Sequence, residues 1–414
     1  MPPPNQATGN KPNDLKRSDF PCNPNWKDDS AGRHHIFLFD GTWNDDTGMN
    51  PADFRWDAAR HLWVSQSDPT QAFPPVVTNL VKTYTALGPD SDRQVTHYFR
   101  GIGNDDENDA LNQRTEGALA TMEQHIRNAA YCEFLRTYRR GDQISILGFS
   151  RGAASARLFA RDLATIGFLK EVTIESRYCR VRNSGEIRHD VWTLETKWAG
   201  RPLVAGKDLP IAFLGVWDTV ATSIAAKPSD WRVPDTVARA VHCLALDETR
   251  KLFAPTLLQY PKSRATEMKE VWFPGAHSDV GGGYYNDALS RVTLNFMWNN
   301  WETALAAEGL PALTWRLDLA GQYTATDGLP WMRHQETGLT ADLGGVEPRD
   351  LEPLNGGLPR VHPSVERFVQ QGGLQYCVEG KDFPPSCQVS PQVYSPLAYP
   401  GPDLVVLYES TAWA

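Results

Sequence analysis

The run Gln143-Ile144-Ser145-Ile146-Leu147-Gly148-Phe149-Ser150-Arg151-Gly152-Ala153-Ala154-Ser155-Ala156 decides the fold. Gln143 to Leu147 reads as a short apolar strand of the kind buried on both faces of a parallel sheet. A small-residue helix is expected from about Ala153 to Ile166. Gly148 to Gly152 must therefore turn the chain from strand to helix with almost no linker. Glycines at both ends of G-F-S-R-G suit such a turn, because a side chain there would strike neighbouring backbone. The bare pattern is weak in a chain holding 32 Gly. Its place between an apolar strand and a small-residue helix makes it specific.

Outward from that run, strands and helices alternate. His35 to Phe39 is a strand stopped by Asp40-Gly41-Thr42, and Thr78 to Leu87 has the spacing of an amphipathic helix. A strand follows at Thr96 to Phe99, then a helix at Ala118 to Arg139. Ala212 to Trp217 and Val271 to Phe273 read as strands, Ala238 to Leu246 as a helical apolar stretch, and Leu289 to Leu305 as a long helix. The rhythm predicts an α/β fold with a mostly parallel central sheet, helices on both faces, and loop or helical insertions. The expected organisation is a flexible leader over 1–30 and a catalytic domain over 31–310. A C-terminal extension over 311–414, where Pro and Gly dominate, would pack on that domain.

A serine hydroxyl at such a turn needs a base beside it and donors for a developing oxyanion. In an α/β-hydrolase the acid and the histidine follow the serine in that order. Asp218 ends the apolar run Phe213 to Trp217, at a strand's carboxyl end, and is the candidate acid. Asp162 also follows Ser150 but lies on the helix after the turn, facing away. His277 follows a strand and enters a Gly-rich loop, which suits a side chain that must reach back over a nucleophile. His242 and His362 compete for the role: His242, in its apolar stretch, reads as a core histidine, and His362 lies near Pro359 and Pro363 in the less regular last third. The second oxyanion donor would come from Gly41 or Thr42, whose N–H would pair with that of Arg151. Set beside this is a plain turn in which Asp40 hydrogen-bonds its own loop.

Composition removes other classes. The net charge is −9, so no basic footprint for nucleic acid is present. No apolar run reaches the roughly 18 residues of a membrane span, and the first thirty residues do not resemble a signal peptide. The six cysteines form no CxxC pair, so no structural zinc is expected. Cys132 and Cys243 read as buried thiols, and the sequence leaves open whether Cys377 and Cys387 bridge a loop. The acidic loops Asn44-Asp45-Asp46 and Asn104-Asp105-Asp106-Glu107 lack EF-hand spacing and read as solvated. No metal or cofactor is expected. Trp56, Trp63 and Trp231 suit either a lid or acyl groove or the core.

Four ordered blocks resemble one known family: F-D-G-T-W-N from Phe39, G-F-S-R-G-A-A from Gly148, G-V-W-D-T-V from Gly215 and H-S-D-V-G-G-G-Y from His277. Ala245-Leu246-Asp247-Glu248-Thr249-Arg250, with Phe253 and Pro255, is similar to a further shared block. Together they resemble the catalytic domain of the first family of type VI secretion lipase effectors. The resemblance covers about residues 34 to 290. It implies an antibacterial phospholipase of A1 or A2 type with its triad on Ser150, Asp218 and His277. It also implies an immunity protein and a secretion-spike partner. The protein would be cytoplasmic in the producing cell and delivered by the type VI machine into a target cell's periplasm. Two other readings stand beside it: a carboxylesterase or polyester depolymerase with the same triad, and a non-catalytic binding module on a hydrolase fold.

Overall fold

The computed structural model describes residues 32–42, 54–57, 62–68, 70–73, 76–101, 116–169, 173–182, 190–222, 224, 226–334, 345, 347–356, 358–379, 387–390 and 393–396. The expected leader over 1–30, both acidic loops and the side chains of Trp56 and Trp63 lie outside the described residues.

In chain order the elements begin with strands β1 (His34–Phe39), β2 (Phe54–Asp57), β3 (Leu62–Ser65) and β4 (Ala72–Phe73). Helix α1 (Asn79–Ala86), β5 (Gln94–Phe99), α2 (Glu116–Thr137), β6 (Gln143–Phe149) and α3 (Ser150–Ile166) follow. Next come β7 (Phe168–Leu169), β8 (Thr173–Arg182), β9 (Asp190–Ala199), β10 (Pro202–Val204), β11 (Ile211–Trp217), β12 (Val237–Ala245) and β13 (Met268–Phe273). The last third holds α4 (His277–Gly281), α5 (Ala288–Ala307), α6 (Leu317–Thr324), β14 (Met332–His334), β15 (Arg360–Val361), α7 (Pro363–Gln371), β16 (Gln375–Glu379) and β17 (Cys387–Ser390).

The main sheet runs β15-β13-β12-β11-β6-β1-β5. Its pairs β1 with β5, β1 with β6, β12 with β13 and β13 with β15 are parallel. The protein is thus a mixed α/β fold with a mostly parallel central sheet flanked by helices. The strands β1, β6 and β11 are nearly unbroken in burial, as parallel strands covered on both faces must be.

The chain divides into two units, Met1–Trp43 with Pro89–Leu214 and Ser223–Arg239, and Asn44–Gly88 with Gly215–Thr222 and Ala240–Ala414. In the first, β1 lies between β5 and β6, and its alternate side chains meet α3. Phe37 and Phe39 pack their rings 5.0 and 5.4 Å from that of Phe159. Small residues let α3 lie close to the strands: Ala153, Ala154, Ala156 and Ala160 are wholly buried. Asp162 pairs with Arg127 and Arg161, holding α3 to α2.

In the second unit a buried polar cluster fixes α1 to α4 and α5. Asn79 Nδ2 donates to the carbonyls of Val280 and Ser290 and to Thr293 Oγ1. Lys82 Nζ meets Asp287 at 2.8 Å. A single buried amide with three acceptors holds the helix that carries His277, since leaving such groups unpaired would cost about 1–3 kcal/mol each. Leu244, Trp272, Leu289, Val361, Val365 and Phe368 form an apolar cluster around β12, β13, β15 and α7.

One expectation is corrected here. Ala238 to Leu246 is not helical but forms the buried strand β12. Burial on both faces removes the two-residue alternation that marks a strand, so an interior strand and an interior helix look alike in sequence. The Pro- and Gly-rich last third also supplies a strand to the main sheet, Arg360–Val361 beside Val271–Trp272.

Candidate active site

Ser150 begins α3 directly after β6 and has φ +59°. Left-handed backbone is costly for a residue with a Cβ, by about 1–2 kcal/mol, so the surrounding structure must impose it. Gly148 and Gly152 show how. A Cβ on Gly148 would lie 2.6 Å from Ala153 Cα, and one on Gly152 would lie 2.2 Å from the Asp40 carbonyl oxygen. The start of α3 is therefore pressed against the end of β1, and only glycine fits between them. Arg151 follows at a helix N-terminus, where backbone N–H groups have no intrahelical acceptor and the helix dipole favours negative charge.

At the end of β1 the Asp40 carboxylate accepts the Gly41 N–H at 2.7 Å and the Tyr98 hydroxyl at 2.6 Å. This is the self-bonded turn that the sequence set beside the oxyanion role of Gly41. Thr42 follows in the same buried turn.

Asp218 and His277 are brought together in the second unit. Asp218 stands immediately after β11, is fully buried and has φ +39°. His277 follows β13 by a short turn and opens α4. Its Nδ1 lies 2.6 Å from Asp218 Oδ2. A carboxylate only accepts, so Nδ1 carries the hydrogen and Nε2 is left as a base. Burial pushes the imidazole below its ordinary value, against the upward pull of Asp218 and Glu248. A neutral ring at moderate pH is what a general base requires.

No sequence pattern marks what surrounds this pair. Arg349 grips the Asp218 carboxylate with both terminal guanidinium nitrogens, Nη1 to Oδ1 at 2.6 Å and Nη2 to Oδ2 at 2.9 Å. The same nitrogens donate to the carbonyls of Ala245 and Phe253, and the Ala245 N–H donates to Oδ1 at 3.0 Å. Burial opposes ionisation of Asp218, yet the Arg349 charge and the His277 and Arg349 hydrogen bonds hold it well below the usual carboxylate range. Glu248, paired with Arg250, accepts the His277 backbone N–H. Phe253 lies between Arg250 and His277, its face 3.6 Å from the Arg250 guanidinium carbon and its ring 5.0 Å from His277, edge to face.

The turn before His277 is tied from both sides. Asp279 accepts the N–H groups of Ala276 and His334 and faces His334 Nδ1. Asp247 accepts the Gly275 N–H at 2.6 Å and the Tyr394 hydroxyl at 2.9 Å. The two competing histidines, His242 and His362, have structural roles. His242 Nε2 accepts the Thr219 N–H and its Nδ1 faces Glu270. His362 caps α7 and stacks on Phe273 at 4.6 Å. Trp231 is buried with Arg157 beside its ring, which is the core alternative. Cys132 and Cys243 are buried free thiols, and Cys377 is disulfide-bonded. Among the described residues no cluster of His, Cys, Asp or Glu could hold a metal ion, and no helix is long and apolar enough to cross a membrane.

A family model described as "T6SS, Phospholipase effector Tle1-like, catalytic domain" matches residues 33–300. Two solved structures are similar in part. One is a crystal structure of an uncharacterized protein from Pseudomonas aeruginosa, at 17% identity and TM-score 0.37, covering 71% of this chain and 47% of that one. The other is the Tle1 effector bound to the VgrG spike from the type VI secretion system, at 19% identity and TM-score 0.32, covering 61% and 51%. The chain spans about half the length of each. A search of curated proteins found no match.

Proposed function

We propose that this chain, which belongs to the family of Tle1-like catalytic domains of type VI secretion phospholipase effectors, hydrolyses an acyl ester of glycerophospholipid with Ser150 as nucleophile. The observation that carries the reading is the backbone of Ser150. A non-glycine residue held at φ +59° between a buried strand and a helix is stored strain, and strain of this kind is kept where a side chain must be presented. The Asp218–His277 hydrogen bond supplies the base.

In this mechanism His277 Nε2 takes the Ser150 proton as Oγ attacks the acyl carbonyl. The oxyanion is met by the N–H of Arg151 at the start of α3 and by a donor from Gly41-Thr42. With the Gly41 N–H on Asp40, Thr42 is the better second donor. His277 then passes its proton to the departing lysophospholipid alkoxide. Water, deprotonated by the same imidazole, releases the fatty acid and restores Ser150. Asp218 steadies the imidazolium in both halves and stays ionised throughout.

Family membership also supports an antibacterial setting. The protein would be made in the cytoplasm, carried on a VgrG-type spike, act on periplasm-facing lipid in the target cell, and be neutralised at home by an immunity protein. The deciding experiment is mass spectrometry of products from mixed phospholipid vesicles, comparing wild type with Ser150→Ala. Lysophospholipid and free fatty acid from wild type alone are expected. Cleavage of short soluble esters with vesicles untouched would replace the lipase by a carboxylesterase. Failure of a fluorophosphonate to label Ser150 would leave a binding module.

A further inference from the structure

We infer that Arg349, which lies beyond the family-matched residues 33–300, is a positioning residue that locks the Asp218 carboxylate against His277 and tempers the negative charge the imidazole meets. The inference rests on the triad reading above and extends it to the last third of the chain.

Geometry argues for more than a tether. Each terminal guanidinium nitrogen divides its hydrogens between one Asp218 oxygen and one backbone carbonyl, Ala245 for Nη1 and Phe253 for Nη2. The fork is thereby fixed, and the carboxylate cannot rotate away from His277 Nδ1. A bidentate pair of this kind is set in direction as well as distance. Arg349 does not act alone in its segment. His334 holds Asp279, two residues past His277, and Tyr394 holds Asp247, which takes the Gly275 N–H. The segment after residue 300 thus touches the acid and both sides of the base's turn.

Charge gives the second consequence. A bare Asp218 would stabilise the His277 imidazolium strongly, whereas a carboxylate neutralised by Arg349 stabilises it less. Other groups facing the pair do not cancel this. Glu248 and Arg250 bind each other, burial raises the Cys243 thiol well above its ordinary value and so keeps it neutral, and the His242 Nε2 lone pair is taken by the Thr219 N–H. Arg349 therefore keeps His277 unprotonated, and active as a base, to lower pH.

The test is the pH dependence of kcat/KM on a p-nitrophenyl ester, with His277 imidazole titration followed by NMR in 15N-histidine-labelled full-length protein. Arg349→Met is expected to raise the acid limb and the imidazole titration together by about one pH unit. Arg349→Lys, which keeps the charge, is expected to leave the limb in place while kcat falls about tenfold, because a point donor cannot hold both oxygens. A uniform fall in rate with an unmoved limb in Arg349→Met would reduce Arg349 to a tether and overturn the inference. Should Arg349→Met not fold, wild-type kcat in Arg349→Lys overturns it equally. If wild type itself cleaves no ester and takes no fluorophosphonate, the proposed function fails. The NMR titration then decides the Arg349 question separately.

Discussion

The carbonyl oxygen of Asp40 occupies the space a side chain at Gly152 would need, 2.2 Å from where its Cβ would stand. The turn after β1 and the first turn of α3 are in direct backbone contact, so the presentation of Ser150 depends on a residue two positions away having no side chain. Gly152→Ala should destabilise the fold by about 1–3 kcal/mol through overpacking and slow fluorophosphonate labelling of Ser150. Urea midpoints and labelling rates check both effects. Gly321, inside α6 with open space at its Cβ position, is the control: Gly321→Ala should be neutral or stabilising by up to about 1 kcal/mol.

Strain at Ser150 predicts an inverse relation between stability and activity at that residue. Glycine adopts φ +59° freely, so Ser150→Gly should raise stability by about 1 kcal/mol while abolishing turnover. Ser150→Ala keeps the Cβ and the strain, and should lose turnover with its melting temperature nearly unchanged. Equal melting temperatures for the two variants would show that the backbone at Ser150 is not strained.

Which parts of this site were legible follows from how local their causes are. The strand-to-helix turn that carries Ser150 is legible because strand, glycines and small-residue helix are consecutive. Asp218 and His277 were legible as residues just past strand ends in the required order, and the structure shows them hydrogen-bonded. Arg349 was not, because nothing around Glu347-Pro348-Arg349-Asp350 distinguishes a buried clamp from a solvated loop, and its partner is 131 residues away. Strand β12 looks helical in sequence because its interior is apolar on both faces, and Arg360–Val361 is too short to carry a period. The sequence allows Gly41 two roles, and its N–H is on Asp40.

Buried neutral histidines predict acid lability. Burial lowers His34 to about 4, with His35 adding to the shift, and lowers His362 to about 3. Both have folded values below the unfolded value of about 6.5. Their contribution is therefore complete above about pH 6.5 and is lost as pH falls toward 4 and 3. Asp247 runs the other way. Burial raises its carboxyl to about 6, so it favours the folded state at low pH and ceases to as pH rises through that value. Melting temperature should fall steadily below pH 6.5. His362→Asn, which retains a cap for α7 without a titrating ring, should flatten that fall.

Asp218→Asn should be costly in two separable ways. The amide no longer supports the His277 tautomer or its imidazolium, so kcat should drop by about 10⁴. Asp218 also neutralises a buried arginine, Arg349. Asparagine would leave the Arg349 guanidinium without its counter-charge, a loss of about 3–5 kcal/mol for a broken buried pair. Pairing the change with Arg349→Met removes the stranded cation, so the double variant should recover stability relative to Asp218→Asn while remaining inactive. Chemical denaturation of the four proteins in that cycle measures the coupling directly. Additive losses would mean that the two side chains, for all their geometry, do not act as a pair.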